Sequence, residues 1–447
     1  SPYNHAPLPV GATYYYRVTA LAEADETELS SEASATVLGW VGTKQMGVAA
    51  QPTVSWGAFT DSSNSVFLTG ITGGNLNGST LTGTTDLFLV KYDALGTRQW
   101  TKLLGDATKQ TARTSGKAGL DGSLYVAGYT QGTITNVQVG LYDSLVVKFD
   151  PDGNKLWATQ LGLATKTTQA FGIALDSSDN IYVTGQTDAG LDGNALTGTQ
   201  DIFLAKYDSS GTQLWVKQIG AVGTQTYATG VAVDSSEEAY VVGRTLGNLD
   251  GNVLIGVNDL FVTKYSPAGV RRWTKTLGEA GAEVRGTAVA IDGSNNIFVS
   301  GETDTGVNGN TQTGVFDLLY AKYDTDGNRS WVKQRGVGGA AQTYARAIAT
   351  DPSGNIFVAG YSTGGVDGNA MTGVVDFYVS KHDSAGDRLW TRQLGAAAAA
   401  SFQSTLTMDG YQNVFVSGFT NGGVDGNTVT GTSDTYVTKY NSSGTKQ

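Results

Sequence analysis

Cysteine is absent from the 447 residues, which excludes disulfides, zinc–thiolate sites and cysteine nucleophiles. Histidine occurs twice, at His5 and His382, too few for a multi-histidine metal site. His382 stands in the tripeptide KHD where the other copies of a repeat described below carry Tyr or Phe, so it reads as a structural aromatic rather than a triad member. Prolines number 7 and charged residues are 15% of the chain, whereas disordered segments are rich in both. No apolar run approaches the ~18 residues that a membrane helix needs. Basic residues are also few. With 29 Lys and Arg against 40 Asp and Glu, the net charge of −11 disfavours nucleic acid and an anionic membrane surface, as the missing apolar run disfavours membrane insertion.

What remains is glycine and aromatic surface. The 61 glycines are roughly twice the usual share, and 21 Tyr, 14 Phe and 8 Trp supply a core. Glycine, aromatics, Thr and Val together describe short strands joined by tight turns, an all-β chain.

A repeat organises it. The string D-x-F-x-x-K-Y-D-x-x-G-x-x-x-W recurs with leading acids Asp86, Asp143, Asp201, Asp259, Asp317, Asp376 and Asp434, spaced 57–59 residues apart. Its tryptophans are Trp100, Trp157, Trp215, Trp273, Trp331 and Trp390; the last copy reaches Gln447 before its own. Trp40 opens WVGTKQMG, which resembles WVKQIG at 215–220, ahead of the first full copy. Each copy reads as four strands: a (GIALD), b (NIYVTG), c (DIFLAKYD) and d (LWVKQIG). Four antiparallel strands repeated radially make propeller blades. The reading is a seven-bladed β-propeller over 39–447, closed by an N-terminal strand d at 40–47. The Asp should cap the turn entering strand c through backbone N–H groups, and the Trp should dock on a neighbouring strand or blade.

The pattern G-x-T…GN…G-x-x-D-x-F-x-x-K-Y-D-x-x-G-x-x-x-W resembles the bacterial seven-bladed β-propeller repeat family of large cell-surface and secreted proteins. The resemblance implies an extracellular or cell-surface scaffold or binding module and no single reaction. Residues 1–38 resemble the last two strands of a fibronectin type III domain, through Leu8, Pro9, Gly11, Thr13, Tyr15, Val18 and Ala20. Two strands cannot bury a sandwich core. The segment is therefore expected to be the end of a longer domain, or a hairpin that engages a protein partner or a second copy of the chain.

Two groups of residues are candidates for a site. Asp-Gly-Asn loops between strands b and c contain Asp192, Asp250, Asp367 and Asp425, with Asn77 and Asn308 in two blades and the divergent Asn136-Val137-Gln138 in another. They read either as plain turns or as calcium ligands, calcium being the one metal that the chain's oxygen donors suggest. No cofactor is otherwise required. The second group is where blades disagree beside the axial mouth. Strand b contributes Tyr129, Arg244, Glu302, Tyr361 and Phe419, and strand a contributes Trp56, Tyr227, Tyr344, Arg346 and Phe402. Aromatic and polar variety on one rim is how a binding surface is built on a symmetric frame. The expected function is a non-catalytic scaffold or adhesion and recognition module. The alternative is a carbohydrate- or peptide-binding, lectin-like propeller, and the third a hydrolase or lyase with an axial carboxylate pair, for which Glu279, Glu283 and Glu302 are the nearest cluster.

Overall fold

The computed structural model describes residues 13–17, 21–22, 25–26, 33–36, 39–134 and 138–447. Seven four-stranded antiparallel sheets follow one another, over 53–104, 111–161, 168–219, 226–277, 284–335, 343–394 and 401–440, the last completed by 44–46. In blade 3, strand a is Thr168–Leu175, b is Ile181–Thr187, c is Asp201–Tyr207 and d is Gln213–Ile219, each hydrogen-bonded to the next in chain order. Strands b and c are covered on both faces by adjacent blades and so read as near-continuous apolar runs, while strand d begins exposed.

Each strand-d tryptophan joins its blade to the next. Trp100 lies under Gly153, Trp157 under Gly211, Trp215 under Gly269, Trp273 under Gly327, Trp331 under Gly386, and Trp390 under Gly444. All of these are c–d turn glycines with φ between 76° and 88°, the left-handed region that glycine adopts without cost. A methyl group on any of them would lie 2.8–3.1 Å from indole carbons, so the turn needs glycine for space as well. On its other side the indole meets the strand-b aromatic of its own blade, as Trp215 does Tyr182 at 6.0 Å. That aromatic in turn carries the strand-c lysine on its face in all seven blades, from Lys91 over Phe67 to Lys439 over Phe415.

The ring closes as expected but in a different register. Lys44–Met46, and not the whole of 40–47, is the strand; it pairs with Asp434–Tyr440, Met46 opposite Thr435 and Lys44 opposite Val437. Two extra residues separate Trp40 from its glycine relative to the other copies, so Trp40 falls outside the strand. It nevertheless reaches the common slot. Trp40 is buried, packs edge-on against Phe415 at 5.2 Å and sits beneath Gly96 of blade 1. The chain end supplies the strand's other part: Lys446 bridges to Tyr440, and the Gly42 N–H donates to the Gln447 carbonyl. Near the N-terminus, Thr13–Tyr16 pairs antiparallel with Ala33–Thr36 around a shorter pair, Leu21–Ala22 with Asp25–Glu26. Leu8, Pro9, Gly11, Val18 and Ala20 of the fibronectin-like pattern lie outside the described residues, as do 135–137 of the divergent loop.

His382 is fully buried in strand c of blade 6, with Nδ1 3.0 Å from the Tyr320 hydroxyl and Nε2 2.9 Å from Ser380 Oγ. Burial, with the positive charges of Arg335 and Arg388 nearby, pushes its pKa down to about 3.

Two expectations follow from these contacts. Removing residues 1–38 should leave the ring melting as a closed propeller. Removing residues 1–48 takes Trp40 and the closing strand, exposes an unpaired edge, and should aggregate or melt far lower; calorimetry of both truncations checks this. His382 stays neutral in the folded protein, whereas the unfolded chain takes up a proton below pH ~6.5. Its contribution to stability is therefore lost as pH falls from ~6.5 toward 3, by at most roughly 1.4 kcal/mol per unit. Replacing it with the residue of other blades, His382→Tyr, should flatten the fall in Tm between pH 7 and pH 4; an unchanged slope would refute the assignment.

Candidate functional site

The mouth of the ring is set by one polar node repeated in every blade. In blade 1 the N–H groups of Thr82 and Gly83 both donate to the buried Asp86 carboxylate at 2.8 Å, and the equivalent pairs recur at Asp143, Asp201, Asp259, Asp317, Asp376 and Asp434. The expected cap is present seven times. The carboxylate lies against the glycine ending strand d, where an added Cβ would come within 1.7–1.9 Å of it. In five blades a strand-d glutamine completes the node. Gln218, for example, donates to Asp201 and the Ala189 carbonyl and accepts the Leu191 N–H. Blades 1 and 4 have Leu103 and Thr276 there. The corresponding N–H groups, of Leu76 and Leu249, turn instead to the backbone carbonyls of Ser79 and Asn252.

The Asp-Gly-Asn loops are built as turns. Asp192 and Gly193 have φ of 49° and 77°, and the Asn194 N–H donates back to the Leu191 carbonyl, a type I′ arrangement. Asp250 is ion-paired with Arg271 and Asp425 with Lys446, while Asp367 accepts from Thr391 and faces Arg388 at 3.4 Å. Among the described residues no three carboxylate or histidine side chains converge as a metal site would require.

Inside this frame, at the axial mouth, lies a cavity of about 530 Å³ to which all seven blades contribute. Of the ten rim candidates, Trp56, Tyr227, Arg244, Glu302, Arg346, Tyr361, Phe402 and Phe419 line it. Tyr129 and Tyr344 stand behind the lining, Tyr129 against Phe171 at 6.2 Å and Tyr344 against Tyr361 at 5.1 Å. Tyr344, Tyr361, Phe402, Phe419 and Trp56 form a continuous arc across blades 6, 7 and 1, successive rings 5.1–5.9 Å apart. Arg113 continues it, its guanidinium 5.3 Å from the Trp56 ring and 4.8 Å from that of Phe171.

Arg113, Arg285 and Gln403 are lining residues absent from the sequence candidates. Blade 2 explains the first. Its a–b turn is Gly119–Ser123, closed by the Gly119 N–H to the Ser123 carbonyl, with Asp121 in the middle of the turn rather than at its start. Counting back from Asp121 therefore lands on Gly116, whereas Thr114 occupies the place of Trp56 and Phe171. The ladder breaks between Ala112 and Ser115, and Arg113 is thrown inward with φ of 46°.

The opposite side of the mouth is an ion network. Glu302 is buried; one carboxylate oxygen takes Arg285 at 3.2 Å and the other pairs with Arg346, while Arg285 also pairs with Glu283. The Tyr361 hydroxyl accepts from Arg346 at 3.0 Å. Arg346 is desolvated, but Glu302 and Tyr361 outweigh this and raise its pKa. Arg244 stacks on Tyr227 at 4.6 Å, and burial and the like charge of Arg285 lower its pKa. Solvent reaches Arg113 through the mouth, yet it lies deep enough in the ring for desolvation, with the charge of Arg346, to lower its pKa also. Four guanidinium groups thus face two carboxylates, an excess of positive charge inside a protein of net charge −11.

Residues 156–192, 214–250, 272–306 and 330–366 match the family model of the β-propeller repeat. An uncharacterized WD repeat-containing protein of Acanthamoeba polyphaga mimivirus is 30% identical over 210 residues, 38% of this chain and 15% of that protein. The regulatory protein FlaEY of Caulobacter vibrioides is 27% identical over 167 residues, 35% of this chain and 17% of that protein. The matches thus span less than a fifth of either curated relative. Among solved structures, streptogramin B lyase is 8% identical with a TM-score of 0.48, covering 88% of this chain and 96% of its own. A polysaccharide lyase, ulvan lyase, is 10% identical with a TM-score of 0.48, covering 84% and 93%. Neither likeness carries an argument about chemistry.

With the Asp250, Asp367 and Asp425 carboxylates engaged by cations and no three acidic or histidine side chains converging among the described residues, the Asp-Gly-Asn loops should behave as turns. A chelator should leave Tm where it was; a fall reversed by added calcium would instead show bound metal stabilising the ring by mass action.

Proposed function

We propose that this β-propeller repeat protein is a non-catalytic recognition module, secreted or displayed at a cell surface, that holds its ligand at the axial mouth. One observation carries the reading. The structural nodes repeat blade after blade, while the side chains lining the 530 Å³ cavity differ from blade to blade. A frame that needed only to be rigid would leave its mouth as repetitive as its turns. The volume falls within the ~300–1,000 Å³ of small-molecule sites, and the mixture of aromatic walls with a few convergent polar groups is how such sites gain affinity and orientation.

The same geometry argues against turnover. Both oxygens of Glu302 are held by arginines and Glu283 is paired with Arg285, so the two acids beside the axis are fixed as ion-pair partners. A general acid or base needs a group free to exchange a proton with substrate. A glycan or a short peptide is the class of ligand the mouth accommodates. The hairpin within residues 1–38 is a second contact, for a protein partner or another copy of the chain, through its strand edges.

The experiment is a screen of glycan and peptide arrays with the parent and with Trp56→Ala and Phe402→Ala. The parent should retain a restricted set of ligands, and each substitution should weaken retention about tenfold or more, as loss of a central aromatic anchor does. Retention that survives both substitutions would place the site elsewhere.

A further inference from the structure

The mouth contains polar groups that the frame neither needs nor satisfies. Gln403 is 2% exposed and lines the cavity, yet neither end of its amide has a hydrogen-bond partner. The equivalent residues of five other blades are Ser55, Ala170, Ala228, Gly286 and Ala345, so packing does not call for an amide there. The neighbouring Ser404 hydroxyl is also buried and unpartnered, as are the Nε–H groups of Arg244 and Arg285. Buried polar groups are nearly always paired, so several unpaired ones in one cavity point to a partner supplied from outside. Arg113 adds a second sign. It touches the faces of Trp56 and Phe171, has no ion pair among the described residues, and occupies a left-handed backbone conformation unfavourable for arginine.

We propose that the axial mouth binds a carboxylate-bearing saccharide: a sugar ring on the arc of Phe402, Phe419 and Trp56, its carboxylate on Arg113, and its hydroxyls on Gln403 and Ser404. This rests on the axial mouth being the binding site. The aromatic faces carry negative charge density that suits the C–H face of a pyranose, and the arginine fork matches a carboxylate. An unpaired amide has one end that donates and one that accepts. Sugar hydroxyls satisfy both, whereas the carboxylate of an acidic peptide side chain can only accept.

Calorimetry of the full chain tests this with galacturonate and glucuronate trisaccharides, their methyl esters, and triglutamate. At least one acidic trisaccharide should bind, its methyl ester about tenfold or more weakly, and binding of the acid should fall as salt rises. Arg113→Gln should bring acid and ester to equal affinity. If that variant melts early, Arg113→Gly, which suits the left-handed backbone, takes its place. Gln403→Ala, the alanine of blades 3, 4 and 6, should weaken acid and ester alike. An ester binding as tightly as its acid, or triglutamate binding more tightly than either acid, overturns this inference and leaves the mouth as a site. Failure of every probe to bind overturns this inference alone if an array ligand is still lost with Trp56→Ala, and both readings if none is.

Discussion

Everything in the ring depends on an indole pressed under a turn glycine of the next blade. A blade by itself is a four-stranded sheet with two apolar faces and no means of covering either. Its neighbours cover them, and the tryptophan fixes the angle at which they do so, because the ring meets a backbone that cannot retreat and glycines that leave no slack. Seven such contacts must close on themselves. Trp40 shows how strongly this constrains the chain: displaced two residues in sequence and outside any strand, it still reaches the slot beneath Gly96. Truncating one such tryptophan costs roughly 3–5 kcal/mol at a single junction. In a closed ring that loss is felt at every junction, since one gap frees two edges.

The second repeated device lies at the mouth. Each Asp gathers two backbone N–H groups of the b–c loop and abuts the glycine at the end of strand d, so loop, third strand and outer strand meet at a single carboxylate. Blades 1 and 4, which lack the glutamine of the node, rescue the same N–H with a backbone carbonyl. Blades that lose one participant therefore keep the loop geometry. The inner strands beside the axis are thereby relieved of structural duty, and their side chains are free to differ.

The sequence displayed the repeat clearly because what repeats is what holds the fold: Asp, Lys, Trp and the glycines are each required at one spacing by a contact. Closure was legible for the same reason, although its register was not, since a buried tryptophan can be reached from more than one backbone position. The rim was legible in part. Eight of ten candidates line the cavity because strand order alone places the end of strand b beside the start of strand a. Arg113 was hidden because the a–b turn of blade 2, equal in length to the others, opens on Gly119 and carries its Asp two residues later, a slip visible only in hydrogen bonding. Gln403 was hidden differently. At its position in the strand five other blades carry small residues, and nothing in a one-dimensional pattern marks an amide there as unpaired.

Charge separates the mouth from the rest of the molecule. An acidic surface repels anions at long range, yet exposed charges are screened beyond about 8–10 Å in physiological salt. Within a partly closed cavity the guanidinium groups act at lower effective dielectric, where each unit of charge counts for more. Burial and the charge of Arg346 lower the pKa of Arg113, as burial and the charge of Arg285 lower that of Arg244. Like charges crowded into one cavity oppose folding, and the frame does not call for all of them: five other blades carry Ser, Ala or Gly at the position of Arg113, and three carry Thr at that of Arg346. The ring tolerates the repulsion because its stability resides in the indole contacts farther out. That division of labour, with packing at the periphery and unbalanced charge at the axis, allows an acidic protein to keep a cationic mouth open to solvent.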